Sequence, residues 1–197
     1  MGRVYLLGGT SRAGKTSCAD QIAGQFGLEK CSVDAVRQSL QASAPADDPI
    51  NYFSNCAWLD LSTKNSLDRK NDVAQRTCRL GVAPLMEGLL VANRGVIVEG
   101  DDLLPEFVEQ WVSLGATAAV FLVYTDHEEI RRRYWDGDAT ACIHRDRERL
   151  ERFIPHYLGW ERWLQSDAAG RNLTVVDAKN GSATSNVATA LGLSRAY

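Results

Sequence analysis

The sequence predicts an α/β domain with a mostly parallel sheet, and three observations support this prediction. Short apolar segments alternate with segments of helical periodicity along the whole chain. A glycine-rich turn follows the first apolar segment and precedes the first helical pattern. The chain has 197 residues, 45% of them hydrophobic and 24% charged, which is enough for one domain with a substantial core. We therefore expect residues 1–197 to form a single domain.

The first predicted strand, at residues 4–7, leads into a phosphate-binding pattern. From Gly9 to Thr16 the sequence fits G-x-x-x-x-G-K-[ST]. Glycines let successive N–H groups point at an anion, Lys15 supplies a cation for phosphate oxygens, and the Thr16 hydroxyl can bind Mg²⁺. A chance match is disfavoured because a strand precedes the loop and a helical pattern follows it. The predicted nucleotide-binding residues are Gly9, Ser11, Arg12, Ala13, Gly14, Lys15, Thr16 and Ser17.

The second predicted strand, at residues 29–33, ends next to two charged candidates. Asp34 and Arg37 follow its carboxyl end, where ligands bind in open parallel sheets. They are three residues apart, so on a helix they share a face. The alternative is that Ser32 or Asp34 caps the helix and Arg37 is solvated.

Residues 41–70 are predicted to be an insertion that binds an acceptor. They contain the aromatic residues Tyr52, Phe53 and Trp58. Such a group of aromatic residues more often forms local hydrophobic core, but after the second strand it also suits a surface that binds a substrate. Residues 71–93 resemble one long helix. Pro84 lies inside it, so either the helix kinks there or two helices meet.

The third predicted strand, at residues 95–101, is apolar and ends in acidic residues. A carboxylate at its tip can hold Mg²⁺ close to Thr16, and Asp101 is our candidate, although the other carboxylates of segment 99–101 stay open. The alternative is that Asp101 or Asp102 caps the following helix, which has Pro105 in its first turn.

A fourth apolar strand, at residues 118–124, precedes a helix that Asp126 can cap. Six arginines then flank a glycine-containing loop: Arg131, Arg132, Arg133, Arg145, Arg147 and Arg149. One interpretation is a mixed-charge surface with pairs such as Glu128–Arg132. We favour a mobile lid at residues 134–146 whose arginines close over the transferred phosphate.

A fifth strand at residues 173–176 and a final helix at residues 187–193 complete the pattern.

Composition limits the possible functions. A net charge of −3 argues against a general nucleic-acid binder, and no apolar run reaches the length of a membrane helix. The amino terminus lacks a charged-then-apolar leader, so we expect a cytoplasmic protein. Five cysteines without C-x-x-C spacing suggest neither disulfides nor zinc, and we expect most of them to be buried. We interpret His127, His144 and His156 as surface residues.

The motifs resemble the nucleoside-monophosphate-kinase-like branch of P-loop kinases. GGTSRAGKTS, VDAVRQSL and VIVEGDDLLPE are most similar to small-molecule phosphotransferases of the 2-phosphoglycerate kinase and chloramphenicol phosphotransferase groups. The resemblance implies a three-layer fold whose five-stranded parallel sheet has the order 2-3-1-4-5, with helices on both faces and a lid after the fourth strand. It also implies that Asp34 orients or deprotonates the acceptor hydroxyl and that Arg37 binds the acceptor's anionic group. By the same resemblance, the lid arginines that clamp the phosphates are Arg133, Arg145 and Arg149.

We therefore predict an ATP- and Mg²⁺-dependent kinase that moves the γ-phosphoryl group to a hydroxyl of a small molecule, as a monomer or homodimer. The candidate catalytic residues are Lys15, Asp34 and Arg133; the candidate acceptor-binding residues are Asp34, Arg37, Tyr52 and Phe53; the candidate metal ligands are Thr16 and Asp101. The alternative is a nucleotide-dependent ATPase or switch that acts on a protein partner. The guanine-binding pattern [NT]-K-x-D is missed at residues 63–66 and 178–181, which argues against GTP. The acceptor stays open among a nucleotide, a nucleotide sugar, a sugar, a phosphorylated acid and an antibiotic.

Overall fold

A computed structural model of the chain describes residues 3–54, 59, 61–92, 94–136, 146–180 and 182–193. Five parallel strands form one sheet in the order β2-β3-β1-β4-β5, which confirms the predicted sheet. The strands are β1 (Val4–Gly9), β2 (Glu29–Ser32), β3 (Val96–Glu99), β4 (Ala118–Val123) and β5 (Thr174–Asp177). No helix in these ranges is long and apolar enough to cross a membrane.

The central strands are apolar because helices cover both faces of the sheet. All residues of β1 and β3 are buried, whereas the edge strands β2 and β5 are partly exposed. In β1, Leu6 packs into one apolar cluster while Tyr5 and Leu7 pack into the other, as alternation along a strand requires. Leu7 pairs with Glu99 of β3, so the carboxyl ends of these two strands lie side by side.

Eight α-helices surround the sheet in the described residues. They are α1 (Lys15–Phe26), α2 (Val33–Ser43), α3 (Thr63–Thr77), α4 (Ala83–Val91), α5 (Pro105–Ser113), α6 (His127–Asp136), α7 (Arg147–Gly170) and α8 (Ala183–Ala190). α1 and α8 contribute to the cluster on one face of the sheet, and α3, α4, α5 and α7 contribute to the cluster on the other. Two helical layers with the sheet between them give the predicted three-layer arrangement.

The predicted long helix at residues 71–93 is two α-helices joined by a π-helical turn. α3 ends at Thr77, the turn spans Cys78–Val82, and α4 begins at Ala83. Ala83 N–H donates to the Cys78 carbonyl, which is the wider spacing of a π-turn. Gly81 lies in this turn because a Cβ there would come within 2.3 Å of the Val36 side chain on α2.

Some local predictions are confirmed and others are corrected. Asp126 caps α6, since its Oδ1 accepts from Glu129 N–H at 3.1 Å. Ser32 occupies the N-cap position of α2, but its side chain makes no capping hydrogen bond. Leu104 precedes α5, so neither Asp101 nor Asp102 caps that helix.

The expectation for the histidines was wrong at His156, which is only 8% exposed. It lies on the aromatic face of α7 that packs against the rest of the domain, and its burial lowers its pKa. His144 lies outside the described residues. Among the cysteines, Cys18 and Cys78 are buried as expected, Cys31 is partly buried, and Cys56 and Cys142 lie outside the described residues.

In the described part of the predicted insertion at residues 41–70, residues 41–43 end α2, Pro49–Ser54 form a 3₁₀ turn, and α3 begins at Thr63. The turn is tied to α2 by a hydrogen bond of 2.8 Å from the Gln41 side-chain amide to the Ile50 carbonyl. α3 lies close to α7, where a Cβ on Gly159 would come within 2.9 Å of Thr63. Trp58 of the predicted aromatic patch lies outside the described residues.

Candidate active site

The loop between β1 and α1 has the backbone of a phosphate-binding loop. Gly9, Arg12 and Gly14 have φ values of 139°, 61° and 100°, which curl the chain tightly between the strand and the helix. Thr10 is fully buried, and its N–H donates to the Leu122 carbonyl of β4 at 3.0 Å. A Cβ added to Gly14 would meet nothing within 4 Å, so this part of the loop borders open space.

Replacing Gly9 with alanine is expected to lower the free energy of unfolding by more than about 3 kcal/mol. A Cβ there would lie 1.9 Å from the Leu122 carbonyl oxygen, and the φ of 139° disfavours any L side chain. Gly24→Ala is the matched control, because Gly24 lies exposed in α1 with nothing within 4 Å of the added Cβ. It should stabilise the protein by about 0.5–1 kcal/mol. Urea unfolding measures the stability of both variants. Equal stabilities would contradict the close approach of Gly9 to the Leu122 carbonyl.

Lys15 and Thr16 contact different acids of the β3 tip. Lys15 is only 6% exposed; its Nζ donates to the Thr10 carbonyl at 2.7 Å and forms an ion pair with Asp101. Thr16 Oγ1 donates to Glu99 Oε2 at 3.2 Å, and Glu99 is 2% exposed. Burial alone would raise the pKa of Asp101, but the charges of Lys15 and Lys70 hold it below its ordinary value. The acid beside the predicted metal-binding hydroxyl is therefore Glu99.

The residues present fit a magnesium ion that arrives with a nucleotide. The Thr16 hydroxyl and the Glu99 carboxylate are hard oxygen donors of the kind that Mg²⁺ prefers. No group of three or more His, Cys, Asp or Glu in the described ranges could hold a metal ion. An ion at this place would take its other ligands from phosphate and water, as Mg²⁺ does in nucleotide sites.

A cavity of about 600 Å³ opens beside the loop, which is ample for a polyphosphate chain. Its walls come from the loop, the start of α1, the acids after β2 and β3, and the end of α6. They are Ser11, Arg12, Gly14, Lys15, Thr16, Ser17, Asp34, Asp101, Arg132, Arg133 and Asp136. Of the predicted nucleotide-binding residues, Gly9 and Ala13 shape the loop without lining this cavity. Ala13 is buried, and its N–H donates to the Thr10 carbonyl at 3.3 Å.

Arg133 is held against the loop by three contacts. Its Nη1 donates to the Arg12 carbonyl at 2.9 Å, and its Nε donates to Glu129 Oε1 at 3.0 Å. Its guanidinium carbon lies 4.0 Å from the centroid of the Tyr124 ring. Hydrogen bonds from Arg132 and Arg133 lower the pKa of Glu129 to about 2. The predicted lid arginine at position 133 therefore borders the cavity beside the loop.

The other arginines of this region are placed differently. Arg149 is 47% exposed in the first turn of α7, where its Nε lies 3.1 Å from Asp146, and it does not line the cavity. Arg145 lies outside the described residues. In place of the predicted Glu128–Arg132 pair, Glu128 binds Arg131 and Glu129 binds Arg132, each at 2.7 Å. Residues 134–136 of the predicted lid belong to α6, and residues 137–145 lie outside the described residues.

A second cavity, of about 380 Å³, adjoins the first and lies among α2, α3, α6 and α7. Its lining residues are Ser11, Arg12, Asp34, Arg37, Phe53, Ser66, Leu67, Lys70, Asp101, Tyr134, Phe153, His156, Tyr157 and Trp160. Four of them, Ser11, Arg12, Asp34 and Asp101, also line the first cavity. The two cavities thus meet at Asp34 and Asp101, which gives room for two ligands side by side.

Asp34 stands at this junction with a raised pKa. Burial of its carboxyl, together with the negative charge of Asp101, raises the pKa to about 6, against the opposing charge of Arg37. Arg37 Nη2 donates to Asp34 Oδ1 at 3.2 Å, and Arg37 Nε lies 3.3 Å from Asp102 Oδ2. Asp102 is 1% exposed, so Arg37 bridges a buried carboxylate and the one at the junction. A carboxylate with this pKa can orient a hydroxyl and accept its proton near neutral pH.

Sequence reasoning found only part of the second cavity. Phe53 lines it, whereas Tyr52 lies behind Phe53 with ring centroids 5.0 Å apart and rings nearly perpendicular. Lys70, Tyr157 and Trp160 also line it, and none of them was among the predicted site residues. The available signal was spacing: Ser66 and Lys70 are four apart on α3, and the lining residues of α7 recur every three or four positions.

The chain is similar in sequence or fold to several known kinases. No protein-family model matches the chain. Among curated proteins it is similar to the cytidylate kinase of Limosilactobacillus fermentum, at 22% identity over 75% of each chain. Among solved structures it is similar to the shikimate kinase from Acinetobacter baumannii in complex with shikimate, with 14% identity, a TM-score of 0.55, and 97% of this chain and 92% of that chain covered. A gluconokinase from Sinorhizobium meliloti 1021 aligns with a TM-score of 0.47, at 15% identity over 96% of this chain and 89% of that chain.

The structural likeness to the Acinetobacter baumannii enzyme covers nearly the whole chain, and the strand order is the predicted 2-3-1-4-5. Together they show that this chain has the P-loop kinase fold. The finer resemblance to the 2-phosphoglycerate kinase and chloramphenicol phosphotransferase groups stays a prediction.

Proposed function

We propose that this protein is a kinase that transfers the γ-phosphoryl group of ATP to a hydroxyl of a small molecule. The observation that carries the proposal is the meeting of the two cavities at Asp34 and Asp101, beside Lys15. One cavity borders the phosphate-binding loop and the other is closed by aromatic side chains. A phosphoryl group bound in the first would face a hydroxyl bound in the second.

The loop and Lys15 supply the nucleotide side of this mechanism. Backbone N–H groups at the amino end of α1 bind phosphate oxygens, and the Lys15 ammonium adds a full positive charge. Thr16 and Glu99 would hold a magnesium ion, which when bound neutralises phosphate charge. Arg133, held at the loop by the Arg12 carbonyl, contributes a further positive charge at the same cavity.

Asp34 supplies the acceptor side. Its carboxylate accepts a hydrogen bond from the acceptor hydroxyl and so aligns the oxygen with the phosphorus. The new bond forms between that oxygen and phosphorus, the bond to the ADP oxygen breaks, and the hydroxyl proton passes to Asp34. Because the transition state of phosphoryl transfer is loose, positioning and charge neutralisation contribute most of the acceleration.

The experiment that tests this proposal is an acceptor screen with ADP release as the readout. We expect slow ATP hydrolysis by the protein alone and fast ADP release with the right hydroxyl compound, with the phosphorylated product identified by ³¹P NMR. Thermal shift with ATP and Mg²⁺ shows separately whether the nucleotide binds. ATP hydrolysis that no compound accelerates, but that a protein partner does, would favour the alternative of a nucleotide-dependent switch.

A second candidate acceptor is a phosphate oxygen of a nucleoside monophosphate. The similarity to a cytidylate kinase favours it, since the name of that relative indicates a nucleotide substrate. The screen therefore includes CMP, UMP and AMP beside the hydroxyl compounds. A nucleoside diphosphate product would select this candidate and reject the hydroxyl acceptor.

The rate of transfer is expected to fall as the pH is lowered through about 6. The raised pKa of Asp34, about 6, means that the carboxyl is ionised at pH 7–8 and protonated at pH 5, where it no longer accepts a proton. The kcat/KM value should therefore be halved near pH 6 and fall about tenfold for each further unit of pH. Asp34→Asn is the control, because any acidic limb left in that variant belongs to other groups, and an unchanged limb would contradict the assignment.

A further inference from the structure

The second cavity contains a lysine that the proposed mechanism does not use. Lys70 lies on α3 with its side chain partly buried, and its Nζ is 4.6 Å from the centroid of the Trp160 ring and 5.9 Å from that of Phe53. Within the part of the chain that the structure describes, no carboxylate lies within 4 Å of Nζ and no hydrogen bond is made to it. Lys70 is one of the residues that line the second cavity.

Two neighbouring cations of this cavity already have counter-ions. Arg37 contacts Asp34 at 3.2 Å and Asp102 at 3.3 Å. Lys15, at the junction of the two cavities, is paired with Asp101. A partly buried ammonium without a contacting anion favours a ligand that brings one, because desolvated charge is stabilised by pairing. Lys70 therefore supplies a positive charge that a ligand of this cavity can use.

The walls around Lys70 are mostly aromatic. Phe53, Tyr134, Tyr157 and Trp160 line the cavity, and Leu67 lies one helical turn before Lys70 on α3. Flat aromatic faces cover the ring or apolar skeleton of a ligand, while a few polar groups fix its orientation. Polar side chains among the lining residues include Asp34, which also lines the first cavity, and Lys70, whose Nζ lies over the Trp160 ring.

We infer that the acceptor is a small hydroxy compound with an anionic group and a ring or apolar carbon skeleton. The anionic group, a carboxylate or a phosphate, binds Lys70; the skeleton lies against Phe53 and Trp160; the hydroxyl reaches Asp34. Neutral polyols and sugars lack the group that Lys70 binds and are disfavoured. This inference rests on the proposed function for the role of the cavity, but the binding preference can be measured without catalysis.

The test uses the full chain and matched probes that differ only in charge. The probes are 4-(hydroxymethyl)benzoate, its neutral amide 4-(hydroxymethyl)benzamide, and 4-(hydroxymethyl)phenyl phosphate. Their dissociation constants are measured by calorimetry and by ligand-observed NMR. We expect the anion with the higher affinity to bind about 10- to 100-fold more tightly than the amide, because a hydrogen bond between two charged groups contributes a difference of this size. The order of the two anions then distinguishes a carboxylate acceptor from a phosphorylated one.

Three variants assign the preference to Lys70. Lys70→Met should abolish the difference between anion and amide, and Lys70→Arg should keep most of it. Lys64→Met is the matched control, because Lys64 is exposed on the same helix and does not line the cavity. Circular dichroism and thermal unfolding confirm that each variant is folded. Equal binding of anion and amide by the wild type, no binding of either anion at millimolar concentration, or a preference that persists in Lys70→Met would each overturn the inference.

The same data separate this inference from the proposed function. A Lys70-dependent preference for anions, without ATP-dependent phosphorylation of any probe or screened compound, would support the binding site and reject the kinase. Rapid phosphorylation of a neutral sugar, equal in the wild type and in Lys70→Met, would support the kinase and reject the anionic acceptor.

Discussion

Lys15→Met is expected to abolish phosphoryl transfer and to weaken nucleotide binding strongly. The ammonium of Lys15 lies at the phosphate-binding loop, where its Nζ donates to the Thr10 carbonyl at 2.7 Å. Removal of one such group from a water-excluded site lowers kcat by about 10²- to 10³-fold. The loss of binding should appear in a titration with a fluorescent ATP analogue, and the loss of transfer in the rate of ADP release with the acceptor.

The control for Lys15 addresses folding, because this side chain is buried against Asp101. Removing one partner of a buried ion pair leaves a lone charge and costs about 3–5 kcal/mol. The double variant Lys15→Met/Asp101→Asn removes both charges, so it should unfold at a higher temperature than the single variant while still failing to bind nucleotide. Lys64→Met, at an exposed position of α3, should behave like the wild type. Normal ATP affinity in the double variant would show that Lys15 does not contact the phosphates.

Asp34→Asn is expected to lower kcat by about 10²- to 10⁴-fold, which is the usual contribution of a general base. Asparagine keeps the size of the side chain and an oxygen that can accept from Arg37, but it cannot take the hydroxyl proton. The nucleotide affinity should stay within about twofold of the wild type, because an uncharged amide at Asp34 leaves the loop intact. Steady-state kinetics with the identified acceptor measures the first effect, and the ATP-analogue titration measures the second.

Asp47→Asn is the comparison variant for Asp34. Asp47 is exposed between α2 and the 3₁₀ turn and lines neither of the two cavities. This variant also loses one aspartate carboxylate. An equal fall in kcat in both variants would therefore indicate a general effect of charge. Near-normal turnover of Asp34→Asn would show that another group aligns the acceptor. The two replacements are thus expected to have different effects. Replacing Lys15 should impair both nucleotide binding and phosphoryl transfer, whereas replacing Asp34 should impair transfer alone.

Short-range patterns account for what was predicted well. The loop from Gly9 to Thr16 is specified by glycine spacing, since the backbone must adopt positive φ at fixed positions. The cap at Asp126 likewise depends on residues three apart, Asp126 and Glu129. In each case the residues that decide the local structure are close together in the sequence, so the sequence pattern is sufficient to predict it.

The acidic residues at the end of β3 show what local sequence patterns cannot predict. Glu99 is the last residue of β3, Asp101 lies two residues beyond it, and both are carboxylates. Only the packing of α1 against β3 brings Thr16 to Glu99 and Lys15 to Asp101. His156 was misinterpreted for a related reason. Its exposure depends on which face of α7 packs against the domain, and that face is set by helices far away in the sequence.

The sequence by itself determined the phosphate-binding loop, the five strands and the position of Asp34, because these depend on local backbone preference and on hydrophobic periodicity. Only the tertiary structure decided that α3 and α7 enclose a second cavity, that Lys70 and Asp101 both line it, and that Arg37 reaches Asp102 as well as Asp34. Apart from the Arg37–Asp34 pair, these arrangements join residues tens of positions apart. Their distances follow from how helices pack on the sheet, which no single stretch of the chain specifies.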